Sequence, residues 1–254
     1  MSLLVRATDG TTRVDITPAS AGWTYVGFEV LALQQRERRS TEGRELCVVV
    51  VEGRCEVRSE HGEWELGGRG DPWSGAPGAA YLPPRTEVEF EGDAEVALCW
   101  APADGGAPAR VLQPGAVEVR GRDTFERRIQ NILMAGEAAD SLLVTEVITP
   151  AGHWSSYPPH KHDRDAMPDE SFLEETYYHR IAPAHGFGLQ RVYTADGSLD
   201  ESVAFRDRDT VLVPRGYHTV SAPPGYDLYY LNVMAGPQRA WAIANDPDHE
   251  WMLR

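Results

Sequence analysis

Apolar residues along the chain fall in short runs between turn formers, and a sustained helical period is rare. Runs rich in β-branched or aromatic residues occupy positions 46–51, 55–58, 88–90, 96–100, 142–148, 176–179, 189–193, 210–213 and 228–233, and 24 Gly and 18 Pro punctuate the sequence. Many short strands between Gly/Pro turns predict an all-β sandwich or barrel. The best helical candidate is 124–134, where Phe125, Ile129, Ile132 and Leu133 recur at helix-like spacing and Asp123 can serve as N-cap. A weaker helical turn or two is expected within 163–173.

The stretch 101–117, with Ala-Pro-Ala-Asp-Gly-Gly-Ala-Pro-Ala followed by Gln113-Pro114-Gly115, has the composition of a linker. On either side the two halves show a faint likeness. The first runs from Glu45 through strands to Tyr81-Leu82-Pro83-Pro84 and a strand ending at Trp100. The second runs from Glu175 through strands to Val211-Leu212-Val213-Pro214-Arg215-Gly216 and a strand ending near Met234. A duplicated β-barrel is the expected architecture, with one unit over 1–112 and the other over 113–254.

Composition narrows the partners. A hydrophobic content of 42% and a charged content of 25% are ordinary for a globular protein. The formal charge of −15 argues against nucleic acid or an anionic membrane surface, which both require basic patches. Of 24 basic residues only Lys161 is a lysine. Cys47, Cys55 and Cys99 are odd in number and contain no C-x-x-C, so neither a disulfide framework nor a thiolate zinc site is expected. No apolar run reaches the roughly 18 residues of a membrane span, and residues 1–10 carry no targeting pattern, so a cytoplasmic protein is expected.

The eight histidines are concentrated in the second half: only His61 precedes His153, and His160, His162, His179, His185, His218 and His249 follow. Within Pro158-Pro159-His160-Lys161-His162, an extended backbone projects both imidazoles to one side and Lys161 to the other. Glu175, Tyr177 and His179 would share one face of the next strand, and an apolar strand entering Pro214-Arg215-Gly216 delivers His218. Three neutral imidazoles and a carboxylate suit one divalent ion, Zn²⁺ or Mn²⁺ foremost and Fe²⁺, Ni²⁺ or Co²⁺ besides, with positions left for substrate.

This pattern resembles the two motifs of the cupin superfamily, H-x-H followed by Glu and a P-x-G turn leading to His. Twelve residues, 163 to 174, separate His162 from Glu175 where cupins usually have few, which implies a loop insertion. His218 also follows its turn one residue sooner than in most cupins. Tyr157–Asp163, Leu173–Arg180, Gly186–Tyr193, Val213–His218 and Pro224–Pro237 together resemble the 5-deoxy-glucuronate isomerase family, aldose–ketose isomerases of myo-inositol catabolism related to 4-deoxy-L-threo-5-hexosulose-uronate ketol-isomerase. The resemblance is dense from about Arg122 to Trp251.

The resemblance implies a bicupin of two double-stranded β-helix barrels, a sugar-acid substrate and a homo-oligomer. The N-terminal barrel lacks ligands: Leu33-Gln34-Gln35-Arg36 stands in place of H-x-H, Thr86-Glu87 falls at the His218 position, and Glu45 would be a relic of the ligand glutamate. Aldose–ketose interconversion moves a proton between C2 and C1, which a Lewis acid and a base together promote. Candidates for the proton carrier are His179, Tyr177, Tyr217 and, if the strand is twisted, Glu174. For the substrate carboxylate Arg191 and Arg180 are the candidates. The same ligands would also serve a cupin dioxygenase using iron or copper, or a non-catalytic sugar-acid-binding cupin.

Overall fold

The computed structural model describes residues 2–253, and nearly all regular structure in it is antiparallel β. In the first half an eight-stranded sheet runs in the order Thr12–Ile16, Gly27–Leu33, Glu87–Pro102, Arg44–Ser59, Ala79–Leu82 and Arg110–Leu112. Glu37–Ser40 pairs with Glu87–Pro102, and Gly62–Arg69 with Arg44–Ser59. The runs 46–51 and 55–58 are one continuous strand, as are 88–90 and 96–100. The strand Arg44–Ser59 passes Gly53, which sits at φ +84° where a Cβ would collide with the backbone of Asp93 and Ala94.

The second half has a seven-stranded sheet in the order Leu4–Val5, Thr210–Val213, Glu174–Ala182, Asp227–Ala235, Leu143–Thr149, Arg127–Leu133 and Glu118–Arg120. Facing it is a five-stranded sheet, Asp200–Arg206, Phe187–Tyr193, Tyr217–Ser221, Trp154–Lys161 and Ala244–Asn245. The N-terminal Leu4–Val5 thus completes the sheet of the other half.

Two expectations for local structure fail. Residues 124–134 are not helical: a 3-10 turn at Asp123–Phe125 leads into the strand Arg127–Leu133. A register shift between Asn131 and Leu133 lets the consecutive Ile132 and Leu133 both enter the core, which imitates helical spacing. Residues 163–173 form a hairpin, Asp163–Ala166 with Glu170–Phe172. Buried Glu170 fastens it by accepting from the Lys161 ammonium at 2.6 Å and the Arg164 guanidinium at 2.9 Å.

Packing is arranged in layers. Inside the first barrel Leu31, Leu46, Val48, Val50, Leu82, Phe90, Leu98 and their neighbours fill the interior. Between the barrels a second apolar layer joins Phe28, Cys47, Val49, Tyr81 and Cys99 to Leu142, Val144, Tyr178, Leu231 and Val233. Each such buried aliphatic contributes about 1.5–3 kcal/mol. Buried ions cross the same layer: Arg69 grips Glu146 at 2.9 and 3.0 Å, and Arg180 meets Glu95 and Glu52 at 2.8 and 2.9 Å. Such pairs roughly break even against apolar replacements. The apolar layer therefore supplies the stability, and the ion pairs fix how the barrels are oriented.

Register relates the halves position by position. Trp100 lies between Gly27 and Leu46 as Met234 lies between Leu143 and Glu175, and Leu46 faces Leu82 as Glu175 faces Val213. Leu46, not Glu45, therefore stands at the position of Glu175, and Glu45 corresponds to Glu174. The two glutamates do the same work. Glu45 accepts the backbone N–H groups of Asp140, Ser141 and Leu142 at 2.6–2.8 Å, and Glu174 those of Thr24, Tyr25 and Val26 at 2.7–2.9 Å. Each carboxylate clamps the segment leading into a strand of the opposite barrel. Removing either one leaves buried donors unsatisfied, so Glu45→Ala and Glu174→Ala should each cost about 3 kcal/mol. Urea unfolding checks this: comparable losses are expected, and a Glu174→Ala protein of wild-type stability would show that the clamp is not structural.

Candidate metal centre

Near its end the strand Trp154–Lys161 carries His160, whose register partner on one side is His218 and on the other Asn245. Lys161 points away, as alternation requires, toward Asp163 and Glu170. His162 follows, and here the chain pinches. Leu173 N–H donates to the His162 carbonyl at 2.9 Å, and His162 Nδ1 lies 3.0 Å from the Leu173 carbonyl. The inserted hairpin is closed off at its base, so the strand Glu174–Ala182 begins beside His162 despite the long separation in sequence. His218 enters from Tyr217–Ser221, after a turn in which Gly216 adopts φ +89°.

Ligand-competent nitrogens of His160, His162 and His218 lie within 4.8 Å of one another. Glu175 Oε2 completes the group, 3.0 Å from His162 Nε2 and 3.2 Å from His218 Nε2. Each imidazole directs Nδ1 at a backbone carbonyl: Pro158 for His160 at 3.3 Å, Leu173 for His162 at 3.0 Å and Gly216 for His218 at 3.2 Å. A carbonyl can only accept, so Nδ1 carries the proton and a neutral ring turns its Nε2 lone pair inward. With the rings neutral, three lone pairs and a carboxylate converge, and buried His218 Nε2 has no hydrogen-bond partner among the described residues. A cation is what such a donor set lacks, and the residues fit a divalent metal ion.

The carboxylate and the imidazoles shift one another: burial would lower the His162 pKa, but its hydrogen bond and charge interaction with Glu175 outweigh this and raise it above the ordinary imidazole value. Burial, with His218 and His162 adding to it, holds the His160 pKa well below the ordinary imidazole value. Burial alone would raise Glu175, but its contacts with His162 and His218 outweigh this and bring it to about 2.

The cluster opens into a cavity of about 690 Å³ lined by alternate residues of four adjacent strands. These are Glu175 and Tyr177; Tyr230, Asn232 and Met234; Thr145 and Val147; and Arg127, Ile129 and Asn131. Arg120, Arg122, Phe125 and Tyr157 line it as well. The C-terminal segment covers it with Trp241, Ile243, Asn245, Met252 and Leu253, and the Trp241 ring lies 5.7 Å from that of His162. Asp246 anchors this segment by receiving the Tyr193 hydroxyl, while its N–H donates to the Pro159 carbonyl.

Of the four candidate proton carriers only Tyr177 lines the cavity, its hydroxyl 2.8 Å from Ser156 Oγ. His179 lies on the same strand face but deeper, stacked on Phe205 at 3.6 Å with Nε2 toward Gln190, and burial lowers its pKa to about 3. Tyr217 packs against Tyr193, outside the cavity lining. Glu174 is turned to the other barrel as a backbone clamp.

Neither expected carboxylate receptor reaches the cavity. Arg180 has the same parity as Glu174 and is held by Glu52, Glu95 and Asp207. Arg191 is exposed on the outer face, paired with Asp200 at 2.8 Å. The arginines at the cavity are Arg120, Arg122 and Arg127, hidden from sequence reasoning because Arg127 lies in the segment whose apolar spacing suggests a helix.

Comparison with known proteins agrees with the architecture. A crystal structure of an IolB-like protein from Salmonella typhimurium LT2 is similar over 100% of both chains, with a TM-score of 0.97 and 43% identity. Bacillus subtilis oxalate decarboxylase OxdC, a cupin with Mn(II) centres, shares the fold at a TM-score of 0.66 and 12% identity, over 95% of this chain and 78% of its own. The chain is thus an all-β bicupin. The 5-deoxy-glucuronate isomerase of Geobacillus kaustophilus (strain HTA426) is 53% identical over 94% of this chain and 90% of its own length. That of Bacillus subtilis (strain 168) is 43% identical over 94% and 92%. The KduI/IolB family model matches residues 3–252, and the chain belongs to that family of enzymes.

Proposed function

We propose that this protein is a metal-dependent aldose–ketose isomerase that converts 5-deoxy-glucuronate to 5-dehydro-2-deoxy-gluconate in myo-inositol catabolism. The observation that carries the metal half of this reading is the convergence of three imidazoles, each with Nδ1 on a carbonyl, with the Nε2 atoms of His162 and His218 at 3.0 and 3.2 Å from Glu175. The substrate half is supported by relatives named 5-deoxy-glucuronate isomerase at 43–53% identity over nearly the whole chain.

His160, His162, Glu175 and His218 would hold the ion, with zinc or manganese best suited to the donors. When bound, it supplies Lewis acidity that polarises the carbonyl and neighbouring hydroxyl of an open-chain sugar. Tyr177 presents a hydroxyl to the cavity beside these residues, its ring centroid 5.7 Å from that of His218. Ser156 fixes that hydroxyl, so it is positioned to hold or pass a proton as hydrogen moves between C2 and C1. Trp241 stands beside the reacting end, its ring 5.7 Å from that of His162, and Met252 and Leu253 line the same cavity.

Three measurements test the reading. Metal-loaded protein given 5-deoxy-glucuronate in D₂O should form 5-dehydro-2-deoxy-gluconate by NMR; no product with metal content confirmed would refute the substrate assignment. His162→Ala should lower metal affinity by more than the roughly 10–100-fold that removing a supporting hydrogen bond costs, with activity falling in parallel. A variant retaining both metal and activity would remove the proposed site. Tyr177→Phe should keep its metal and lose roughly 10²–10⁴-fold in kcat. A kcat near wild type would relieve Tyr177 of any part in proton movement.

A further inference from the structure

Burying a cation is costly unless an anion accompanies it, and most buried or half-buried arginines here have a partner. Arg69 grips Glu146, while Arg180 and Arg208 share Glu52, Glu95 and Asp207. Arg239 is satisfied by backbone carbonyls, Leu142 at 2.7 Å and Met134 at 2.8 Å among them. Arg127 differs. Half-buried in the cavity wall, it has no carboxylate within ion-pair distance among the described residues, and its guanidinium donates only a long 3.4 Å bond to the Phe125 carbonyl.

The surroundings of Arg127 supply no anion to it among the described residues. Its register partner across the hairpin is Arg120, another cation lining the same cavity, which is itself paired with Glu118 at 2.6 Å and so leaves no carboxylate for Arg127. Burial lowers the Arg127 pKa; the Tyr230 and Tyr177 phenols oppose that shift, and Arg120 adds to it. An arriving carboxylate would neutralise this environment. The strand Arg127–Leu133 is separated from the Glu175 strand by two others, so the cation and the imidazole cluster occupy different parts of one cavity.

We infer that Arg127 is the receptor for the substrate's carboxylate, holding the acid end of an open-chain sugar acid while its carbonyl end lies at His160, His162, Glu175 and His218. Arg127 thereby selects uronates over neutral sugars and sets which end meets the cluster. The inference rests on the isomerase reading only for the identity of the natural substrate; the carboxylate site stands on a cavity-lining guanidinium with no carboxylate partner among the described residues.

The test measures binding separately from turnover. Calorimetric titration of metal-loaded protein with D-glucuronate and with D-glucose, beside KM and kcat on 5-deoxy-glucuronate, is compared for wild type, Arg127→Met, Arg127→Lys and Arg191→Met. Arg127→Met should bind glucuronate roughly 10–100-fold more weakly, the equivalent of one lost charged hydrogen-bond pair, and lose its preference over glucose. Its loss should appear mainly in KM, with metal content unchanged, and its melting temperature should equal or exceed that of wild type, because a half-buried charge without a carboxylate partner among the described residues has been removed. Arg127→Lys should recover part of the affinity, and Arg191→Met, on the outer face, all of it. If Arg127→Met fails to fold, Arg127→Gln is held to the same criteria. A wild-type KM and undiminished glucuronate preference in the folded variant would overturn the inference while leaving the isomerase standing. Arg127-dependent glucuronate binding without conversion of 5-deoxy-glucuronate would do the reverse.

Discussion

Side chains of a strand alternate between its two faces, and in Glu174–Ala182 both faces are buried. Glu175, Tyr177 and His179 face the interior of the second barrel, while Glu174, Tyr178 and Arg180 face the first. The strand carries a candidate metal ligand and, one residue earlier, the clamp that ties the barrels together. A one-residue slip in register would exchange the two sets and place Glu174 in the cavity and Glu175 against the Thr24–Val26 backbone. The pinch between His162 and Leu173 guards against that slip, since it fixes where the strand starts whatever the length of the hairpin before it.

The same alternation explains why one barrel holds a site and the other does not. Positions equivalent to Glu175, Tyr177 and His179 are Leu46, Val48 and Val50, all fully buried and packed into a filled interior. Facing the interface, Glu45 and Glu174 keep the same task. The two halves thus share the chemistry that joins them and differ inside, where one has a polar interior and the other aliphatic packing. The filled barrel is a rigid support: its long strands Arg44–Ser59 and Glu87–Pro102 pair along nearly their whole length.

How far the sequence disclosed this depends on which physical signal each residue leaves. His160, His162, Glu175 and His218 were legible because H-x-H, a strand-borne glutamate and a Pro-x-Gly turn all act over a few residues. The parity of Glu175, Tyr177 and His179 also implied that Arg180 must face away from the site, a consequence available from alternation alone. Arg127 was not legible. The bulge at Asn131–Leu133 gave its segment a helical apolar spacing, which hid the alternation that turns Arg127, Ile129 and Asn131 toward the cavity. Likewise, the cross-barrel partners of Glu45 and Glu174 are backbone groups more than 90 residues distant, and no local pattern reports them.

The remaining tension is between a chain of net charge −15 and an anionic ligand. It is resolved by distance and dielectric. Surface charges act through salt water with a screening length of about 8 Å, and many are already neutralised in pairs such as Arg38–Glu89 or Arg191–Asp200. Inside the cavity the lining ionic groups are Arg120, Arg122, Arg127 and the cluster with Glu175, and Tyr177, Tyr230, Met234 and Trp241 line it between them. Coulomb interactions grow several-fold as the effective dielectric falls from that of water toward about 20. A carboxylate that reaches Arg127 is therefore held by a nearby unscreened cation against a remote, screened excess of negative charge, so local placement decides the sign of the interaction and the net charge does not.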